Sequence, residues 1–275
     1  KESYSFNANS KETFILFNNW FMAFYLATVL IGTIYPIFTE VLSGHKISVG
    51  PPFYNIVIGP MVLPLLILMA LAPQAKWIKN SFRKSIKAIV IFLLAILLNF
   101  FIFYYFKSTS ILSNLIITSS IFLIIYSITD LIKNISHFNL SRIFSHLGFG
   151  LLIFFIGINH NFSIESDFNL KVGEKKNFNN YLISFNKLEL KERKNHKAVM
   201  GHFDILNLQN LKKDKLVPEI RIYDKPETLT YEASIKSKLS YDIYLTMSNV
   251  SRSDFYNIKF QKKPFMIWIW MSAIL

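Results

Sequence analysis

Five apolar runs, each of membrane length, decide most of what this chain can become. They cover about residues 13–41, 54–71, 88–106, 111–132 and 142–162. A bilayer core is about 30 Å thick and a helix rises about 1.5 Å per residue, so about 20 apolar residues span it. In lipid every backbone N–H and C=O must be satisfied within the segment, so such runs are read as helices. The chain has 275 residues, of which 52% are hydrophobic and 16% aromatic. Those residues are clustered rather than dispersed, which places the chain among membrane proteins. The net charge of +13 would suit nucleic acid. Lys, Asn, Ile and Phe abound together, however, and many basic residues flank the apolar runs, where membrane topology accounts for them. No nucleic-acid partner is expected. There is no cysteine, which excludes disulfides, thiolate metal sites and cysteine nucleophiles.

The loops set an orientation. Loop 73–87 carries Lys76, Lys79, Arg83, Lys84 and Lys87, and loop 133–142 carries Lys133 and Arg142. They lie two spans apart, as they must if both face the cytoplasm. Residues 42–52, 107–110 and about 163–263 then face the other side. Gly50-Pro51-Pro52 cannot be helix interior and predicts a sharp turn, and Pro60 and Pro64 predict a kink in the second span. Asp130, near the cytoplasmic end of the fourth span, reads as an interfacial carboxylate rather than a proton relay.

Residues 163–263 change character. Alternation of period two appears at Tyr181, Ile183 and Phe185, at Ile220 and Ile222, at Tyr241, Ile243, Leu245 and Met247, and at Tyr256, Ile258 and Phe260. These are half-buried strands of a small sandwich or barrel. Lys262 and Lys263 then precede Trp268 and Trp270, which suit a membrane interface. The expected architecture is a polytopic α-helical membrane protein with an extracytoplasmic all-β domain inserted before the last span. Residues 1–163 form a bundle of about five spans, 164–263 the β domain, and 264–275 the start of a final span. The chain begins with Lys1 rather than Met and ends inside an apolar run, so it reads as a fragment.

Of six histidines, His45, His137 and His160 fall in loops or at span ends, and His196 and His202 read as ordinary surface residues of a hairpin. Only His146 lies within a span and clear of its basic flank, some 6 Å along the axis from Arg142. The positive end of the helix dipole opposes a charged imidazolium there, and the neutral ring is the form that takes a metal. His146, Gly150, Phe154 and Gly157 share one helix face, because their steps are four, four and three. The glycines leave a smooth shelf on which a flat macrocycle or a close-packed helix fits. His146 is therefore a candidate ligand or a helix-packing residue, and any second ligand must come from outside the chain.

The order of motifs resembles the C-terminal part of the CcmF family, membrane subunits of the bacterial cytochrome c haem lyase. The stretches that carry it are 17–55, with its GHKISVGPP turn, LPLLILMALAPQAKW at 63–77, SHLGFGLLIFFIGI at 145–158, ETLTYEASIKSKLSYDIYL at 227–245 and KPFMIWIW at 263–270. The resemblance implies an inner-membrane protein whose β domain is periplasmic. It implies covalent attachment of haem vinyl groups to the CxxCH cysteines of apocytochrome c. It implies as partners a haem chaperone of the cytochrome c maturation system, other haem lyase subunits and membrane lipid. It also implies a structural haem b, with His146 in SHLG as an axial ligand to the iron and Gly150 and Gly157 beside it. The family's tryptophan-rich WWD loop and its other haem ligand have no counterpart here, so the chain alone is expected to be inactive. A relative serving cytochrome c nitrite reductase would look the same. The alternatives are a non-catalytic scaffold displaying a β domain, or a transporter, for which Asn99, Asn114 and residues 118–120 offer few polar groups.

Overall fold

The structure is a computed structural model that describes residues 10–45, 47–75, 77, 82–106, 111–133, 140–250 and 254–275. It divides into two compact units: the helices up to Asn161 together with Ile269–Leu275, and Phe162–Trp268. Most of loop 133–142, residues 107–110, and Lys76 and Lys79 of loop 73–87 lie outside the described residues.

In the first unit, α1 spans Lys11–Ser43, α2 Pro51–Leu71, α3 Phe82–Phe106, α4 Ile111–Lys133 and α5 Leu140–Phe162; a shorter α6 follows the strands at Met266–Ile274. All of α1 to α5 are long and apolar enough to cross a membrane. Ser10 caps α1, its hydroxyl accepting from the Thr13 N–H at 3.4 Å. Gly44 ends it in the left-handed conformation, with φ of 70°. Pro51 and Pro52 do not form a loop before the second span: they open α2 at its first two positions, where a missing N–H costs nothing. The same helix continues through Pro60 and Pro64. α3 starts six residues before its apolar run and takes in Arg83, Lys84 and Lys87.

α4 is the hub. Over half of its apolar stretch, 56%, is buried, against 17% for α1, α2 and α3. Ile117, Phe122, Leu123 and Tyr126 of α4 close on Leu66 and Ala70 of α2 and on Ile91 and Ala95 of α3. Asn99 of α3 donates to the Asn114 carbonyl of α4 at 3.1 Å, and Thr118 donates to the same oxygen at 2.9 Å. These amides and hydroxyls serve the helix backbones.

The second unit is a sandwich of antiparallel sheets. One has the order β1 (Ile164–Leu170), β10 (Tyr256–Pro264), β9 (Tyr241–Asn249), β8 (Ser234–Ser237). The other has the order β2 (Lys175–Phe178), β3 (Tyr181–Glu192), β4 (His196–Asn207), β6 (Glu219–Asp224), β7 (Glu227–Glu232), with β5 (Lys213–Leu216) also on β4. Period two aims one row of each strand inward. Ile183, Phe185, Ile243, Leu245, Met247, Ile258 and Phe260 are fully buried between the sheets. Phe185 stacks on Phe203 with centroids 4.3 Å apart. Ile220 is buried but Ile222 is 37% exposed, because it pairs with Leu229 of β7, the edge of its sheet.

His196 corrects an expectation. It is buried at 7% exposure, its ring 5.0 Å from that of Tyr223 and its Nδ1 2.7 Å from Asn195 Oδ1. It also shares strand β4 with His202 rather than facing it across a hairpin. The inward row of β4 is Ala198 near its start but Phe203 and Ile205 later, so the alternation changes phase between them and turns His202 to the other side. The opposite strand carries a register shift between Phe185 and Lys187.

Candidate functional site

α5 forms because Leu, Ile and Phe recur along it without an internal proline, and its first turns are closed by Ser145, whose hydroxyl donates to the Ser141 carbonyl at 2.8 Å. His146 sits in the second turn, half-buried between the end of α2 and the end of α4. Met69 and Pro73 lie on one side, and Tyr126, Ser127 and Asp130 on the other. The Met69 main chain is a hydrogen-bond partner of the imidazole. A main-chain bond to one ring nitrogen is the kind of contact that orients a metal-ligating histidine.

One turn before His146, Arg142 Nη2 donates to Asp130 Oδ2 at 2.8 Å. Asp130 is 8% exposed, so its carboxylate is buried against protein and paired. Burying the carboxylate is tolerable because the guanidinium comes with it. Sequence reasoning placed both residues at the same membrane face but did not join them. The signal was there: an acid at the end of one span and a base at the start of the next, with a short connection between.

The three candidate cofactor residues do not share one environment. A Cβ on Gly150 would lie 3.1 Å from Ile124 and 3.3 Å from Leu123, and one on Gly157 would lie 2.7 Å from Ile117. Side chains of α4 therefore lie against both glycines, as the close-packed helix among the two occupants of their shelf would. Gly148 in the same way admits the Ser272 carbonyl of α6, 3.0 Å from where its Cβ would be. The cavity beside His146 is about 10 Å³, room for one water. His146 thus fits an iron by its chemistry, while the faces of a macrocycle and a second ligand are not supplied by the described residues around it. Among those residues no cluster of three or more His, Asp or Glu forms a metal site of another kind. His45 and His160 are exposed, and His137 lies outside the described residues.

A second, larger cleft of about 390 Å³ lies among α2, α4 and α5, lined by Tyr54, Asn55, Ser113, Gly157 and His160. Sequence reasoning assigned His160 only to a span end and gave no hint of this cleft. In the β unit the notable electrostatics are at the surface. Gln261 and Lys259 both hydrogen-bond Glu165 and hold its carboxyl below the usual range.

Residues 161–264 match the family model described as the CcmF C-terminal beta-sandwich. Nearly the whole chain aligns with the cytochrome c-type biogenesis protein CcmF of Haemophilus influenzae, at 24% identity over 96% of this chain and 43% of the relative. The CcmF of Escherichia coli aligns at 22% identity over 97% of this chain and 42% of the relative. A solved structure named as cytochrome c heme lyase CcmF superposes with a TM-score of 0.73 at 17% identity, over 97% of this chain and 44% of that one. The chain therefore spans less than half the length of the relatives that it matches. Its sequence, its sandwich and its apolar helices together make it a match to the C-terminal portion of the CcmF proteins of cytochrome c-type biogenesis.

Proposed function

We propose that this chain is the C-terminal part of a cytochrome c haem lyase, joining haem vinyl groups to the CxxCH cysteines of apocytochrome c. Two observations support the reading. The chain aligns over nearly its whole length with proteins named for cytochrome c-type biogenesis, and SHLG supplies a half-buried imidazole with one nitrogen already engaged. In the reaction each cysteine thiol adds across a vinyl double bond, sulfur to one carbon and hydrogen to the other. No electrons are lost or gained, so the chemistry asks for positioning and a suitable iron state rather than an oxidant.

His146 is the residue that would hold the iron of a resident haem b, whose contribution when bound is electron transfer. Met69 orients the ring through its main chain. The Asp130–Arg142 pair neutralises two charges one turn away, and Gly150 and Gly157 let α4 approach so that Asp130 reaches Arg142. A haem chaperone, apocytochrome c, other haem lyase subunits and membrane lipid are the partners this reading needs. The basic loops 73–87 and 133–142 support a bacterial inner-membrane orientation with the sandwich in the periplasm.

The test is a strain lacking its own lyase, supplied with the complete protein that contains this chain. Haem-stained gels of its c-type cytochromes are compared for wild type and His146→Ala. The expected result is loss of covalent haem in the variant at unchanged protein level. Full cytochrome c yield from the variant would remove His146 from the function.

A further inference from the structure

One end of the sandwich gathers features that folding alone does not explain. It is the end at which the chain enters β1 at Ile164 and leaves β10 at Pro264, since Ile164 pairs with Lys262. Three turns meet there: Asn179–Asn180 between β2 and β3, 208–212 between β4 and β5, and 238–240 between β8 and β9. They are tied to one another and to the start of α6. The Leu208 N–H donates to the Asn180 carbonyl at 2.8 Å, and Lys238 pairs with Asp214. The Phe265 N–H donates to the Ser240 carbonyl at 3.0 Å, and Trp268 Nε1 donates to the Leu239 carbonyl at 2.9 Å.

These turns are held rigidly and yet present leucine to the outside. Leu239 is 73% exposed and Leu211 is 74% exposed. Leu211 also has a φ of 55°, a left-handed conformation that glycine or asparagine adopts far more cheaply than leucine. The other non-glycine residues with positive φ among those described, Asn179 and Phe265, lie at the same end. Backbone strain concentrated at one place, around a side chain that gains nothing from the fold, points to use.

The charge around the leucines says what they meet. Lys212, Lys236, Lys262 and Lys263 gather at this end, beside Lys213 and Lys238, which pair with Asp204 and Asp214. Several lie over tyrosine: Lys262 is 4.6 Å from the Tyr241 ring, and Lys263 is 4.9 Å from that of Tyr244. Apolar tips among lysines, tyrosines and a tryptophan are the composition of a surface that sits in an anionic lipid interface. We propose that this end of the sandwich is a lipid-binding surface, with Leu211 and Leu239 immersed below the headgroups and the lysines facing lipid phosphates.

The chain has no cysteine, so a single introduced thiol labels one site. The test uses the full chain reconstituted in phosphatidylethanolamine–phosphatidylglycerol vesicles, with a nitroxide on Leu211→Cys, Leu239→Cys or Lys194→Cys. Lys194 is an exposed residue of the β3–β4 turn at the opposite end. Labels at 211 and 239 are expected to be several-fold less accessible to an aqueous nickel chelate than the label at 194, and more accessible to oxygen. That gap is expected to narrow when phosphatidylcholine replaces phosphatidylglycerol. Equal accessibility at all three sites would overturn the proposal and leave the leucines to a protein partner. A gap indifferent to lipid charge would overturn the role given to the lysines.

Discussion

The two units solve opposite problems with the same residues. In the sandwich, large apolar side chains point inward and vanish: Ile183, Phe185, Ile243 and Phe260 have no exposure. In the helical unit many point outward: Leu26 is 70% exposed, Phe101 71% and Leu97 65%. For a water-soluble domain the second pattern would be ruinous, because each such side chain forgoes about 1.5–3 kcal/mol of burial. For helices in lipid it costs nothing, since the surroundings are as apolar as the side chains. What holds the helices together is accordingly the packed cluster around α4, close contact at small residues and a few polar pairs, with the remaining apolar side chains left to face lipid.

Substitutions should affect the two units very differently. Phe185→Ala should cost the sandwich about 3–5 kcal/mol, by lost transfer energy and the cavity left against Phe203. Phe101→Ala on the outer side of α3 should stay within about 0.5 kcal/mol when the chain is in bilayers. Thermal melts of the two variants beside wild type decide it. An equal loss at Phe101 would mean that α3 is packed against protein there.

Asp130→Asn should cost about 1–3 kcal/mol, below the cost of a fully buried broken pair because Arg142 remains a third exposed. The double variant Asp130→Asn with Arg142→Gln should recover part of that loss, which a melt reads directly. Gly157→Ala forces a methyl to 2.7 Å from Ile117 and should cost about 1–3 kcal/mol. Adding Ile117→Val should return some of it.

The smallest effect belongs to the sandwich surface. Glu165 has a depressed carboxyl pKa in the fold, caused first by its bond from Gln261 and then by Lys259. Its contribution is fully present above the ordinary glutamate value, about 4.3, and is lost as pH falls through the lower folded value. With the side chain 53% exposed, the gain is under about 1 kcal/mol. Lys259→Ala should flatten the acid limb of the stability profile between those two values. An unchanged limb would show that the bond is not held in solution.

The legible parts of the molecule are those where one period dominates. All five long helices follow from apolar run length, and β3, β9 and β10 from strict alternation at 181–185, 241–247 and 256–260. Where periodicity changes phase, reading fails. His196 looked exposed because the shift within β4 is invisible in a single strand, and the short β2, β5 and β8 carry too few residues to alternate. At the site, His146 stood out as an imidazole inside an apolar run. The meaning of Gly150 and Gly157 did not, because a smooth helix face suits a porphyrin and a neighbouring helix equally. Only the position of α4 separates them.

The most direct test is a reduced-minus-oxidised visible spectrum of the complete purified protein, wild type beside His146→Ala and Gly150→Ala. The account predicts a low-spin b-type haem signal in wild type, its loss or conversion to high spin in His146→Ala, and its retention in Gly150→Ala. An unchanged signal in His146→Ala would contradict the account and make this histidine a packing residue.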